Sequence, residues 1–244
     1  VQGEKFVVLT VQDISAEKRR NALESIFFHD VLNLAGILEG YAELLDTDTQ
    51  PQDVSRIQAV LKQTSWRLTE EIVMQRDLLT AERGDLVVRT EPVHSRTVLQ
   101  HVLERYGHYN SNCRCHLQIA PGAVEVIFVS DPILLERVLG NMVKNALEAS
   151  GFGQTITMDV TATDDEITFS VHNEGAMPQP VQLQVFQRSF STKGDGRGLG
   201  TYGMKLLTEQ YLNGTIRFTS SEADGTTFFA TYPRLQPEEL PEGR

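Results

Sequence analysis

The chain is poor in cysteine, tryptophan and basic residues, and it lacks long apolar stretches. Its 244 residues include two cysteines and one tryptophan. Two cysteines exclude a framework of disulfide bonds. No apolar run approaches the roughly 18 to 20 residues that a membrane-spanning helix needs. The N-terminus also lacks the pattern of a secretory signal. We therefore expect a cytoplasmic fragment with no membrane contact of its own, whose full-length protein can be membrane-attached upstream.

Acidic residues outnumber basic ones, with 33 Asp and Glu against 22 Lys and Arg and a formal net charge of −11. Broad binding to nucleic acid needs a basic face, so we predict no nucleic-acid partner. Cys113, Cys115 and His116 stand close enough to suggest a metal site. No fourth ligand is evident nearby, and the start of a strand in a reducing compartment is the favoured interpretation.

Two long helical patterns occupy the first part of the chain, each with apolar residues at steps of three and four. A short polar turn at 46–51 ends in proline and separates them. Two long helices on a short turn form an antiparallel hairpin. Such a hairpin buries both stripes when it pairs with a second copy, which predicts a homodimer held by a four-helix bundle. The stripes are Leu23, Phe27, Val31, Leu34, Leu38, Tyr41 and Leu45, then Val54, Ile57, Leu61, Thr64, Leu68, Ile72, Gln75 and Leu79.

The remainder mixes short strands and helices in an α+β order. Strands are predicted at 86–89, 115–119, 125–129, 155–162, 166–172, 214–220 and 226–232. Helices are predicted at 95–106, from Asp131 onward and at 203–213, with residues 173–202 irregular. The tail 236–244, with two prolines and three glutamates, is predicted to be disordered.

The helix from Asp131 carries amides on one face. Because an α-helix turns about 100° per residue, Asn145 lies at about +40° and Glu148 at about −20° from Asn141. Amide oxygens are ligands for Mg²⁺, which keeps several waters and takes phosphate oxygens as well. The alternative is an ordinary solvated polar face.

About fifty residues later, glycine alternates at 194, 196, 198 and 200. Glycine allows the backbone to approach a phosphate closely, and the helix that follows directs its N-terminal amides at the same anion. Lys193 and Arg197 add positive charge to an acidic protein. The alternative is a flexible loop with a glycine cap.

These segments together resemble the catalytic domain of the sensor histidine kinases, which shares its Bergerat-type α/β sandwich with DNA gyrase and the heat-shock chaperone ATPases. Asn141 and Asn145 match the family's N box, and Gly196-x-Gly198-Leu199-Gly200 matches its second glycine box. Phe186 and Phe190 match the F box of the lid, and Gly225-Thr226 matches the closing Gly-Thr pair. The resemblance implies ATP and Mg²⁺ as cofactors, Asn145 as the metal ligand, and Asn141, residues 194–200 and Thr226 as nucleotide-binding groups.

Two departures from the family pattern stand out. The first glycine box, usually Asp-x-Gly-x-Gly, reads Asn173-Glu174-Gly175-Ala176-Met177 here. Asn173 accepts a hydrogen bond from adenine without bringing charge, so we expect weaker adenine binding. Many family members also carry lysine where this chain has Glu148. We expect Lys193 or Arg197 to supply the missing phosphate contact.

The first helix supplies a substrate for this domain. Phe28-His29-Asp30-Val31-Leu32-Asn33 resembles the family's H box. His29 faces away from the apolar stripe, and Asn33, four residues on, shares its face. The resemblance makes His29 the phosphoacceptor, Asp30 its acid/base and Asn33 the group that orients water for dephosphorylating the partner. The alternative is an inert surface histidine, which is the usual case for a histidine that has no kinase domain beside it.

The resemblance implies the following domain boundaries. Residues 1–20 are the end of a PAS-like sensor domain with its linker, because 11–19 resemble a PAS exit. Residues 21–83 form the dimerisation and histidine-phosphotransfer hairpin, and residues 84–235 the ATP-binding domain.

The predicted enzyme is an ATP-dependent protein-histidine kinase. It phosphorylates itself on His29, passes the phosphoryl group to an Asp in the receiver domain of a response regulator, and can act as a phosphatase. The alternatives are a gyrase-like ATP hydrolase, which Asn141 disfavours because that class has glutamate there, and a nucleotide-binding dimeric scaffold.

Overall fold

The structure is a computed structural model that describes residues 15–45, 50–107, 115–187 and 199–235, without the side chains of residues 15–26, 30 and 51. Two long helices form its first part, α1 (Ser15–Glu43) and α2 (Pro51–Glu82). They pack along each other, as the two apolar stripes predict. Pro51 occupies the first turn of α2, where its missing N–H is not needed.

A helix-and-sheet domain follows the hairpin. Its helices are α3 (Ser95–Gly107), α4 (Pro132–Ala149), α5 (Gln179–Gln182) and α6 (Leu199–Leu206), the last continued by a π-helical turn (Leu207–Tyr211). Its strands are β1 (Glu91–His94), β2 (His116–Ile119), β3 (Ile127–Ser130), β4 (Thr155–Ala162), β5 (Glu166–Asn173), β6 (Thr215–Ser221) and β7 (Gly225–Pro233).

The main sheet has the order β2-β4-β5-β7-β6, and β1 pairs with β3 in a separate ribbon. Only the pair β2–β4 is parallel within the main sheet. Alternate residues of β4, β5 and β7 are buried, as expected for a sheet that is covered by helices on one face. Phe169 and Tyr232 belong to this core, and burial raises the pKa of the Tyr232 hydroxyl well above its usual range. The α+β sandwich predicted from the sequence is confirmed.

The prediction of a strand at 86–89 is wrong. These residues form no strand, and residues 91–94 take the place beside β3, with Glu91 opposite Ser130 and His94 opposite Ile127. The branched residues of 86–89 suggested a strand, but strand preference depends on an available partner. The backbone N–H of Arg89 instead donates to Asp131 Oδ2 at 2.8 Å.

The last helix also differs from its prediction at 203–213. It begins at Leu199 and ends in the π-helical turn. The hydroxyl of Tyr211 in that turn donates to the carbonyl oxygen of Ala81 at 2.5 Å. Leu78 and Ala81 of α2 are buried in the same core as the sheet. The end of the hairpin is therefore built into the domain.

Asp131 joins two parts of the domain. Its Oδ1 accepts the N–H groups of Ile133 and Leu134, both at 3.0 Å, and so caps α4. Its Oδ2 accepts the N–H of Arg89 from the segment that leads out of the hairpin. Asp131 is 4% exposed, so water does not replace these bonds. One carboxylate thus fixes both the start of α4 and the path of the linker.

We predict that Asp131→Ala lowers the free energy of unfolding by about 1–3 kcal/mol, because three backbone N–H groups lose their acceptor. Asp131→Asn keeps one oxygen for the cap but turns an amide nitrogen toward Arg89. We therefore expect it to lower the free energy of unfolding by less than Asp131→Ala does. Urea denaturation followed by circular dichroism measures both. Equal stability of wild type and the Ala variant would contradict the assigned role.

Candidate nucleotide site

Helix α4 directs one polar face into a cavity. Asn141, Lys144, Asn145 and Glu148 line it. Because an α-helix turns about 100° per residue, the four positions fall within a wedge of roughly 100°. The opposite face is buried against the sheet and includes Leu135, Leu139, Met142, Val143 and Ala146. Packing of the apolar face therefore fixes the direction in which the polar groups point.

Asn145 has an unsatisfied amide. Its Nδ2 is buried and has no hydrogen-bond partner. Such a group destabilises a protein unless a ligand or water completes its bonding. The two ends of an amide exchange by a half-turn of the side chain. Asn145 can therefore present an oxygen to Mg²⁺ or an N–H to a phosphate, and this donor set fits the metal that the resemblance implies.

Asn173 closes the other end of the site, at the end of β5. It is 2% exposed, and its Nδ2 donates to the carbonyl oxygen of Gly175 at 3.2 Å. Because a carbonyl only accepts, this bond holds the amide nitrogen on Gly175 and turns Oδ1 away from it. Asn173 also lines the cavity. Its oxygen is thus a neutral acceptor suited to the amino group of adenine.

A series of hydrogen bonds holds the loop that follows Asn173. The N–H of Met177 donates to Ser220 Oγ at 2.7 Å, and Thr226 Oγ1 donates to the Gly175 carbonyl at 2.7 Å. Ser220 Oγ lies 2.8 Å from Thr226 Oγ1. Since Thr226 uses its proton on Gly175, Ser220 is the donor in that pair. The series ties β6 and β7 to the loop.

Gly225 allows the close approach of β7 to the same loop. Its φ is 68°, and a Cβ there would collide with the carbonyl oxygen of Asn173. Only glycine adopts this conformation without strain.

The start of α6 faces α4. Gly200 and Thr201 line the cavity, and a Cβ on Gly200 would lie 3.6 Å from Asn141 Oδ1. Leu199 is the first residue of α6. The other predicted phosphate-binding residues, Lys193, Gly196, Arg197 and Gly198, lie outside the described residues. Their roles stay predictions.

Phe186, from the predicted lid motif, belongs to an aromatic cluster. Its ring centroid is 5.8 Å from that of Phe218 and 6.2 Å from that of Phe228. Lys205 lies over the same ring at 6.0 Å. Phe190, the second residue of that motif, lies outside the described residues.

His29 is exposed on α1, as the helical spacing predicts. The amide nitrogen of Asn33 lies 3.1 Å from His29 Nδ1 and 3.3 Å from Nε2. Asn33 therefore holds the imidazole from one turn away. The side chain of Asp30 is outside the described part of the structure.

The cavity has a volume of about 750 Å³ and lies between the hairpin and the domain. Its lining runs from Asn33 and Ile37 on α1 through α2 to Asn145 and Asn173. Pockets of about 300–1,000 Å³ hold most small ligands and cofactors, so its size suits a nucleotide.

Three ion pairs across this cavity were not predicted from the sequence. Glu70 pairs with Arg105 at 2.7 Å, Glu71 with Lys144 at 3.4 Å, and Asp77 with Arg137. In each pair α2 supplies the acid and the domain supplies the base. The partners are far apart in the chain, and no local pattern links them.

Residues 130–236 match the family of histidine kinase-, DNA gyrase B-, and HSP90-like ATPases. Over 249 aligned residues the chain is 25% identical to the sensor protein SrrB of Staphylococcus aureus, covering 95% of this chain and 42% of SrrB. The sensor protein DegM of a Bacillus species is 24% identical, covering 88% of this chain and 55% of DegM. The chain thus spans about half the length of these relatives or less.

Solved structures have the same fold. The histidine kinase AdeS of Acinetobacter baumannii matches with a TM-score of 0.62 and 18% identity, over 85% of this chain and 98% of that one. The histidine kinase ThkA, in a complex with the response regulator protein TrrA, matches with a TM-score of 0.59 and 18% identity, over 94% and 69%.

Two further expectations concern metal and membrane. Cys113 lies outside the described residues, and the described ones contain no group of three His, Cys, Asp or Glu side chains that could hold a metal ion. This does not bear on an asparagine site for Mg²⁺. No helix in the described ranges is long and apolar enough to cross a membrane.

We predict that Thr226→Val weakens ATP binding roughly five- to tenfold, because loss of one buried hydrogen bond frees the loop that holds Asn173. Thr226→Ser keeps the hydroxyl and is expected to bind almost as the wild type does. Isothermal titration calorimetry with ATP measures the difference. If the Val variant binds ATP as tightly as the Ser variant, the hydrogen-bond series does not support the site.

Proposed function

We propose that this chain, whose residues 130–236 match the family of histidine kinase-, DNA gyrase B- and HSP90-like ATPases, is the phosphotransfer and ATP-binding part of a sensor histidine kinase. One observation supports this most strongly. A single cavity is lined both by the amides of α4 and by Asn33, which holds His29. The proposed nucleotide site and its proposed protein substrate therefore belong to one chain and border one space.

The proposed reaction moves the γ-phosphoryl group of ATP to a ring nitrogen of His29. A bond forms between that nitrogen and phosphorus, the bond from phosphorus to the β,γ-bridging oxygen breaks, and ADP leaves. The proton on the other ring nitrogen passes to a base, for which Asp30 is proposed. Asn33 holds the ring. Catalysis of this transfer comes mainly from positioning and charge neutralisation.

The nucleotide is proposed to lie with adenine at Asn173 and its phosphates at α4. Asn145 would hold Mg²⁺, and Asn141 and the start of α6 would contact the phosphates. The metal supplies neutralisation of phosphate charge when it is bound. Asn173 offers adenine a neutral acceptor, so ATP binding depends more on the phosphate end of the site.

Two partners are proposed. A second copy of the chain would cover residues of the two apolar stripes that the hairpin leaves exposed, Leu45 and Ile72. A response-regulator receiver domain would accept the phosphoryl group on an Asp, as the complex of ThkA with TrrA suggests. In a separate phosphatase reaction, Asn33 would orient the water that attacks the phosphorus of the partner's phospho-aspartate, releasing inorganic phosphate and restoring the Asp. We place these reactions in the cytoplasm.

ATP hydrolysis is the competing function. The gyrase-like members of the family use a glutamate to activate water, and Asn141 stands at that position here. An amide is a poor base, so the position that activates water in the gyrase-like class carries no base here. A scaffold that binds nucleotide without turnover is the other alternative, and the neutral Asn173 is what favours it.

We predict that the dimeric chain, incubated with γ-labelled ATP and Mg²⁺, acquires label that is stable in base and lost in acid. His29→Gln removes the acceptor nitrogen and is expected to abolish the label while leaving ATP binding unchanged. Gel autoradiography after acid and base treatment measures it. Release of free phosphate without protein label would indicate a hydrolase, and binding without any turnover would indicate a scaffold.

We predict that Asn145→Ala lowers the rate of His29 labelling at least a hundredfold, because the proposed metal and phosphate ligand is lost. His94→Gln serves as the control, because His94 is exposed, lies on β1 and does not line the cavity. Initial rates of labelling over a Mg²⁺ titration compare the two. Wild-type rates for Asn145→Ala would exclude Asn145 as the metal ligand.

A further inference from the structure

Lys144 lines the nucleotide cavity and forms an ion pair with the hairpin. It lies on the cavity face of α4, about 60° from Asn141 around the helix axis and on the side away from Asn145. Its side chain is 28% exposed, and its Nζ lies 3.4 Å from Glu71 Oε2 on α2. Glu71, with its side chain 21% exposed, lines the same cavity. An ammonium group therefore shares the cavity with the two amides proposed to hold the phosphates and metal.

Of the three bases paired with α2, Lys144 is the one that follows Asn141 by one turn and directly precedes Asn145 in α4. Arg105 is on α3 and pairs with Glu70, while Arg137 lies one turn before Asn141 on α4 and pairs with Asp77. The family's usual lysine is replaced by Glu148, whose carboxylate also lines the cavity. Arg137 and Lys144 are thus the two cations that α4 brings to the cavity, and Lys144 is the one that lies within the stretch from Asn141 to Glu148. Its ammonium group is held by Glu71 of the hairpin.

We propose that Lys144 binds the phosphates of ATP and that Glu71 competes with them for its ammonium group. This inference rests on the proposed nucleotide site. Lys144 takes the role of the family lysine from a different position on the same helix face. Glu71 opposes it by occupying the ammonium group and by placing a negative charge near the phosphates.

The competition couples nucleotide binding to the docking of the domain on the hairpin. While α2 lies against the domain, Lys144 is shared with Glu71. When α2 withdraws, Glu71 no longer competes with the phosphates for the ammonium group. Coupling between two binding events is reciprocal, so ATP weakens the contact of the domain with α2 by the same factor.

The test is a double-mutant cycle on nucleotide affinity in the intact chain. Dissociation constants for ATP, ADP and adenosine are measured by calorimetry for wild type, Glu71→Gln, Lys144→Met and the double variant. We expect Lys144→Met to weaken ATP binding roughly tenfold, the size of a lost charge-assisted hydrogen bond. Glu71→Gln should tighten it about threefold, and the double variant should resemble Lys144→Met. Adenosine binding should change in none of them.

Glu70→Gln is the matched control. It removes a negative charge from the residue next to Glu71, but Glu70 pairs with Arg105 and not with Lys144. It should change ATP affinity less than twofold. If Glu70→Gln tightened ATP binding as much as Glu71→Gln does, the effect would come from the lower net negative charge or from weaker docking of α2 on the domain. That result would overturn direct competition between Glu71 and the phosphates. Persistence of the Glu71→Gln effect in the Lys144→Met background would overturn it as well.

Lys144→Arg keeps the charge and should retain most of the affinity, which separates loss of the cation from disturbance of α4. Equal losses in the Met and Arg variants would overturn the proposal. If the wild type binds ATP and Lys144→Met binds it equally well, this inference fails alone. If the wild type binds no ATP, the proposed function fails and the inference falls with it.

Discussion

The packing of α4 against the sheet is the interaction on which the rest of the site depends. Its apolar face, with Leu135, Leu139 and Met142 fully buried, allows one rotation of the helix about its axis. That rotation directs Asn141 and Asn145 into the cavity. A rotation by one residue, about 100°, would bury these amides in the core and leave leucines in the cleft. Hydrophobic burial thus sets the geometry of a polar site, and Asp131 fixes where the helix begins.

The second determinant is the contact between the hairpin and the domain. At its C-terminal end α2 is joined to the domain by buried apolar residues, Leu78 and Ala81, which are independent of ligand. Further from that end the contact becomes polar, through Glu70, Glu71 and Asp77. The apolar contacts can therefore keep the C-terminal end of α2 in place on the domain. The acidic side chains beside the cavity can meanwhile exchange their ion-pair partners.

The sequence was sufficient to predict the fold and the cavity face of α4, because both depend on local periodicity. The 141/145 spacing and the Asp131-Pro132 start each lie within a few residues. It was insufficient for the segment 86–89, whose branched residues suggest a strand, whereas residues 91–94 of β1 are the ones that pair with β3. It also missed the pairing of Lys144 with Glu71, because partners 73 positions apart meet only through the packing of α2 on the domain. The numbers of acidic and basic residues do not show which acid pairs with which base.

The bond from Tyr211 to residue 81 has a consequence for how related sequences vary. The acceptor is a main-chain carbonyl, which every residue type provides. Position 81 is 2% exposed, so its side chain is limited by size, and the hydrogen bond places no demand on its chemistry. Position 211, in contrast, must present a hydroxyl at the end of a long side chain. We therefore expect substitutions at the two positions to be uncorrelated. A statistical search for coevolving pairs would pass over the link that joins the helix after the glycine-rich segment to the base of the hairpin.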